Sequence, residues 1–245
     1  VKAMDRREVN EDGNGAIVIR KLLPGLKKYG NITVCAPDQG RSASSHCIIL
    51  HGSLSFELEK KEDGISWYKT SGMPADCTRL SLSLLNTDFD IVFSGINNGL
   101  NVGTDIIYSG TVSAAREAKI SGLPAVAIST DFDAFSIVDQ ELDALLEYIF
   151  SNQLYSKDYI LNVNFPTKEF TSSKGYQFCH QGTKAFKTRF VKNDAGLYEN
   201  ADEEITYDTN PESDVFLASK GYVTFVPLQE EQTSYEVLNQ LKNKK

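Results

Sequence analysis

Several absences narrow the reading of this chain. Its four cysteines, Cys35, Cys47, Cys77 and Cys179, show no CxxC or zinc-ligand spacing, which argues against a zinc module or a dithiol redox centre and for reduced thiols. No apolar run approaches the length of a membrane span, and no signal-peptide core opens the chain. A cytoplasmic protein without a membrane partner is therefore expected. Basic residues are in deficit, 25 Lys and Arg against 33 Asp and Glu, for a net charge of -8. That balance argues against a sequence-independent binder of nucleic-acid polymers, which needs a broad basic surface. It does not exclude a small anionic ligand, because a metal ion or a helix start supplies positive potential locally. No G-x-G-x-x-G follows a strand, so a dinucleotide oxidoreductase is discounted. Internal repeats and low-complexity tracts are also missing.

What is present is alternation of strand-like and helix-like segments over 245 residues, enough for one large α/β domain, with or without an appendage. Ile19, Leu22, Leu23 and Leu26 keep helical spacing, with Pro24 expected to kink or shorten that helix. Residues 32–35 read as a strand, Cys77, Leu80 and Leu84 as the stripe of a helix starting near Pro74, and 90–94 as a buried strand. A helix of small residues follows over 112–120, a strand over 125–129, an amphipathic helix carrying Val138, Leu142, Leu145 and Ile149, and a strand over 159–164. This order predicts an α/β, Rossmann-like fold: a mostly parallel sheet with helices on both faces. Residues 167–215 lack a long helical period and read as a β-rich C-terminal arm. Residues 221–227 form a late strand, and 235–241 a terminal helix. The division expected is a catalytic domain over 1–166, an arm or oligomerisation subdomain over 167–220, and a closing strand and helix over 221–245.

Four segments carry candidate chemistry. Asn10-Glu11-Asp12-Gly13 sets two carboxylates before a glycine, oxygen ligands of the kind hard divalent cations prefer; a solvated acidic turn is the plainer reading. Asp38-Gln39-Gly40-Arg41-Ser42-Ala43-Ser44-Ser45-His46 is crowded with hydroxyls after a strand. Ser94-Gly95-Ile96-Asn97-Asn98-Gly99 reads as a strand emptying into a polar loop that continues to Asn101. Tyr108-Ser109-Gly110-Thr111-Val112 opens a helix, where unpaired N–H groups and the helix dipole favour a phosphate. Each alone is weak. Together, at the carboxyl ends of strands, they point to a phosphate-processing site.

In these segments the chain resembles the SurE-type (survival protein E) 5′/3′-nucleotidases, metal-dependent phosphatases of nucleoside monophosphates. The family patterns N-D-D-G, A-P-D-x-x-x-S, G-x-P-x-D-C, S-G-I-N-x-G-x-N-x-G and Y-S-G-T-V occur in order, at 10–13, 36–42, 72–77, 94–103 and 108–112. Asn162-Val163-Asn164-Phe165-Pro166 and the segment 221–228 look like later family markers. By position, the resemblance implies Glu11, Asp12, Ser42 and Asn97 as ligands of one Mg²⁺ or Mn²⁺ per subunit. It implies Asn101, Ser109, Gly110 and Thr111 as the phosphate grip, and Asp12 with Asn97 as the catalytic residues, Asp12 assisting the attacking water. The implied activity is hydrolysis of nucleoside monophosphates to nucleoside and phosphate, with 3′-nucleotidase and exopolyphosphatase side activities. The implied assembly is a homodimer or homotetramer joined through the arm, where Phe186, Phe190 and Tyr198 sit.

The chain departs from the family pattern at two places. Glu11 stands where the family has Asp, and the polar Met4-Asp5-Arg6-Arg7-Glu8-Val9 stands where a central strand should be apolar. They motivate an alternative, a non-catalytic nucleotide- or phosphate-binding protein with an impaired metal site. His46 has no paired carboxylate nearby in sequence, so a loop hydrogen bond is the plainer reading than approach to the phosphate or leaving group. Asp76, in a helix's first turn, reads as a cap or as a residue orienting active-site loops.

Overall fold

The computed structural model describes residues 2–3 and 15–244. The acidic segment with Glu11 and Asp12, and the polar run 4–9, lie outside the described residues.

Two sheets make up the body. In the first the order is β1 (Lys2–Ala3), β2 (Thr33–Pro37), β4 (Ile65–Thr70) and β3 (Phe56–Glu62). β1, β2 and β4 are parallel, and β3 turns back against β4 as a hairpin. In the second the order is β5 (Val92–Asn98), β6 (Ala125–Thr130), β7 (Ile160–Asn164), β11 (Val223–Leu228) and β8 (Tyr176–Phe178). β5, β6 and β7 run parallel, and β11 returns antiparallel to β7. β1 packs beside β5, so the two sheets meet there. Every residue of β6 and β7 is buried, as expected for parallel strands covered on both faces.

Successive side chains of a strand point to opposite faces, and two separate cores result. On one face Phe93, Val126, Ile128, Leu161, Val163 and Phe225 pack under α1 (Gly15–Leu26) and α5 (Phe135–Ser151). α5 presents Ile137, Val138, Leu142, Leu145, Leu146 and Ile149 at helical spacing. Fully burying rings such as Phe93 and Phe225 contributes roughly 1.5–3 kcal/mol each. α1 runs through Pro24 and ends two residues later. The helix accommodates Pro24 near its end, and its apolar stripe Ile19, Leu22, Leu23 and Leu26 stays buried.

On the other face Val92, Ala125, Ala127 and Val226 meet Val112, Ala115 and Ala118 of α4 (Gly110–Ile120). Small residues let α4 lie close to the sheet and to α2 (Pro74–Leu84), where Cys77 touches Ala114 and the Thr78 hydroxyl donates to the Ala114 carbonyl at 3.1 Å.

One expectation is corrected. Gly95-Ile96-Asn97, read as a loop after a strand ending at Ser94, belongs to β5, whose register against β6 shifts between Ser94 and Asn97. Gly95 causes the difference. It adopts φ +121, and a Cβ there would lie 2.2 Å from the Ile128 carbonyl oxygen. Only glycine allows that irregular step, which keeps pairing while re-aiming Asn97.

β9 (Lys184–Lys192) and β10 (Tyr198–Tyr207) form their own antiparallel hairpin, with Phe190, Val191, Leu197 and Tyr198 exposed. α6 (Asp214–Ser219) packs on β11, and α7 (Tyr235–Lys242) ends the chain without a buried residue. Among the described residues no helix is long and apolar enough to cross a membrane.

Candidate active site

The polar ends of β5, β6 and β7 come together beneath residues 97–103. Asn101 sits at the centre, 2 % exposed. Its N–H donates to Asn164 Oδ1 at 2.8 Å, and its carbonyl accepts from Asn162 Nδ2 at 2.9 Å and Asn164 Nδ2 at 3.1 Å. Its own Nδ2 donates to Ser129 Oγ at 2.7 Å. Three strand-end side chains therefore satisfy a loop residue that lacks a ladder partner, as a buried backbone requires. The next turn is held by Asp214 of α6, fully buried, which accepts from the N–H groups of Gly103 at 3.0 Å, Gly182 at 2.7 Å and Val215 at 2.8 Å. Burial raises the Asp214 pKa, while those three N–H donors and Lys184 pull it down without cancelling the rise.

Asn97 links strand and helix. Its Nδ2 donates to the Gly99 carbonyl at 2.6 Å, which orients the amide so that Oδ1 accepts from the Thr111 hydroxyl at 3.2 Å. Thr111 lies in the first turn of α4, behind the N-cap Ser109, whose Oγ accepts from the Val112 N–H at 3.0 Å. Gly110 marks a close approach: a Cβ there would lie 2.9 Å from both Pro74 Cγ and Ser44 Oγ. Three elements thus converge on the anion-ready end of α4, namely α2, the loop after β2, and β5 through Asn97.

The loop over residues 38–50 is pinned along its length. Arg41 Nη2 donates to the Ser71 carbonyl at 2.8 Å. The Ser45 N–H donates to the Tyr108 carbonyl at 3.0 Å and its hydroxyl to the Ile107 carbonyl at 2.7 Å. Ser42 is exposed on this loop, while Ser44 Oγ is buried without a hydrogen-bond partner among the described residues. His46, without a sequence neighbour to pair with, meets Glu117 of α4: Nε2 and Oε2 are 2.9 Å apart. Asp76 does both things expected of it. Its Oδ2 accepts from Met73 N–H at 3.1 Å, a cap of α2, and from Ile49 N–H at 3.0 Å, a tether of the loop.

Of the residues singled out from sequence, the structure brings Asn97 and Thr111 into contact and sets Ser109 and Gly110 beside them. Asn101 is held in the network next to that pair, and Ser42 lies on the adjoining loop. Glu11 and Asp12 are outside the described residues. Asn164, Asn162, Ser129, Glu117 and Asp214 carry the support and were not singled out as site residues; the hint for Asn162 and Asn164 is the family-like segment Asn162-Val163-Asn164-Phe165-Pro166.

Among the described residues no group of three or more His, Cys, Asp or Glu could hold a metal. The described ligand candidates, Asn97 and Ser42, offer neutral oxygens. These suit a hard cation, and the anionic donors would have to come from Glu11 and Asp12.

Beside this end, a cavity of about 830 Å³ is lined by Leu100, Phe132, Phe170, Phe186 and Tyr207, among others, with Asp105 and Lys184 in its wall. Phe186 meets Tyr108 edge-on, with ring centroids 6.4 Å apart. The cavity thus combines aromatic rings with the carboxylates of Asp105, Asp131, Glu169 and Asp208, and Phe186 links it to Tyr108, just before α4.

Comparison with known proteins agrees with this geometry. The family model described as survival protein SurE matches residues 8–188. A protein of Clostridium botulinum (strain Alaska E43 / Type E3) named 5′-nucleotidase SurE is 36% identical over 249 residues, covering 95% of this chain and 96% of that protein. Its namesake in Clostridium beijerinckii is 35% identical over 245 residues, covering 94% of each. The crystal structure of the SurE protein from Aquifex aeolicus superposes with a TM-score of 0.76 at 27% identity, covering 99% of this chain and 98% of that one. The shared fold, the matched segment and the identity over nearly the whole length place this chain in the SurE family.

Proposed function

We propose that the chain is a metal-dependent phosphomonoesterase that hydrolyses nucleoside monophosphates to nucleoside and inorganic phosphate. The observation that carries the proposal is the Asn97–Thr111 contact, which joins the re-aimed end of β5 to the phosphate-ready start of α4. The nucleotidase relatives and the aromatic cavity beside that helix start support a nucleoside as the group carrying the phosphate.

In this reading Ser109, Gly110 and Thr111 hold the phosphate oxygens at the helix start, and Asn101 fixes the adjoining loop. Glu11, Asp12, Ser42 and Asn97 would hold one Mg²⁺ or Mn²⁺. When bound, that ion supplies positive charge that polarises the phosphorus centre and acidifies water. Asp12 accepts a proton from the attacking water; the P–O ester bond breaks as the new P–O bond forms, and the nucleoside oxygen takes up a proton from solvent water, after which Asp12 returns its proton to solvent. Cleavage of 3′-nucleotides and of terminal phosphate from short polyphosphate needs the same grip and is proposed as side activity. The exposed Phe190, Val191, Leu197 and Tyr198 of the β9–β10 hairpin suit a contact with a second copy, giving a homodimer or homotetramer.

The test is release of inorganic phosphate from a panel of 5′- and 3′-nucleoside monophosphates with Mg²⁺, Mn²⁺ or EDTA. Release that needs the metal is expected. Nucleotide binding without release under any metal would overturn the enzyme in favour of a binder with an impaired site.

A further inference from the structure

The loop over residues 38–50 is held by a closed ring of polar contacts that lies off the reaction itself. His46 Nε2 meets Glu117 Oε2 at 2.9 Å. The other Glu117 oxygen lies 3.7 Å from Arg79 Nε, and Arg79 Nη1 donates to Asp76 Oδ1 at 3.1 Å. Asp76 returns to the loop through the Ile49 N–H at 3.0 Å. The ring runs loop, α4, α2 and back to the loop. The Glu117 side chain is 14% exposed and that of Asp76 1%, so each carboxylate depends on its partners to be kept in place.

Glu117 follows Gly110 by seven positions, about 10 Å along the helix axis at 1.5 Å per residue. His46 is thus tied well behind the helix start where a phosphate would sit, which fits an anchor and not a proton donor. The stretch carrying Ser42 and Ser44 lies between Arg41, which donates to the Ser71 carbonyl, and the adjoining anchors at Ser45 and His46. The Ser44 hydroxyl is buried, has no hydrogen-bond partner among the described residues and faces Gly110.

We propose that His46 and Glu117 are positioning residues of the phosphate grip: their hydrogen bond sets the Ser42–Ser44 stretch against the start of α4. The inference rests on the phosphatase reading, yet the anchor itself can be tested without turnover. The variants are His46→Ala, His46→Gln, whose side-chain amide can still donate to Glu117, and Glu117→Gln. The readouts are KM and kcat with a nucleoside monophosphate, the inhibition constant of orthophosphate, and hydrogen exchange of the 42–49 amides.

His46→Ala is expected to raise KM and the orthophosphate constant about tenfold, a loss in keeping with one hydrogen bond to a charged group. It should change kcat by less, and speed exchange over 42–49. His46→Gln is expected to restore all three to within about threefold of the parent, and Glu117→Gln to fall between the two. Unchanged KM, orthophosphate constant and exchange in His46→Ala would overturn the inference, as would a Gln variant no better than Ala. An inactive parent would remove the phosphatase reading, and the exchange comparison would still decide the anchor.

Discussion

Asn164 offers the sharpest test of how the site is built. It is fully buried and closes on both backbone groups of Asn101, accepting from the N–H at 2.8 Å and donating to the carbonyl at 3.1 Å. In Asn164→Ala the carbonyl keeps Asn162, but the N–H faces a buried space with no acceptor. An orphaned buried donor costs about 1–3 kcal/mol and the second lost hydrogen bond about 1 kcal/mol more, so a total near 2–4 kcal/mol is expected. For a chain of this size that corresponds to a Tm lower by roughly 5–15 °C. Asn164→Asp separates stability from site chemistry. It keeps the acceptor for the N–H, yet turns a carboxylate oxygen toward the Asn101 carbonyl and adds negative charge beside the proposed phosphate site. Thermal or urea unfolding should therefore show Ala as clearly destabilised, while the inhibition constant of orthophosphate should rise most in Asp. An Ala variant within about 0.5 kcal/mol of the parent, or an Asp variant that binds orthophosphate more tightly, would refute the reasoning.

Other perturbations have equally definite outcomes. Gly95→Ala forces a Cβ to 2.2 Å from the Ile128 carbonyl oxygen at φ +121. We expect a loss above about 3 kcal/mol or insoluble protein; a Tm within about 2 °C of the parent contradicts the geometry. Asn97→Ala should abolish metal-dependent phosphate release while the chain still folds, with about 1–3 kcal/mol lost because the Gly99 carbonyl and the Thr111 hydroxyl each lose a hydrogen bond. Retention of the full rate removes Asn97 from the site. Asp214 has a folded-state pKa raised by burial, so it is protonated more readily folded than unfolded, and stability falls as pH rises from the ordinary carboxylate range through the raised value. Asp214→Asn should flatten that fall in a Tm-against-pH series; parallel curves would contradict it. Cys179 is pushed up to about 12, chiefly by burial, Cys35 and Cys77 are buried, and Cys47 is exposed. Iodoacetamide near neutral pH should thus label Cys47 first by peptide mass mapping, and early labelling of Cys179 would contradict its burial.

The sequence by itself determined the elements and the family. Apolar periodicity marked α5 and α2, short apolar-rich runs marked β6 and β7, and Pro74 and Ser109 marked helix starts, because these signals act over a few residues of chain. The ordered motifs from Ala36 to Val112 carried the resemblance, and with it the choice of Asn97, Asn101, Ser109, Gly110 and Thr111. Only the tertiary structure decided what holds them. Gly95-Ile96-Asn97 read as a loop because glycine and asparagine break strand patterns, whereas pairing with β6 keeps it in the sheet around Gly95. His46 meets Glu117 across 71 positions, and Asn164 meets Asn101 across 63. Neither pairing leaves a periodic trace in the sequence. A hydrogen bond between distant residues depends on where the sheet and helices bring them, and one polar side chain at a strand end looks the same whether it faces water or holds a site together.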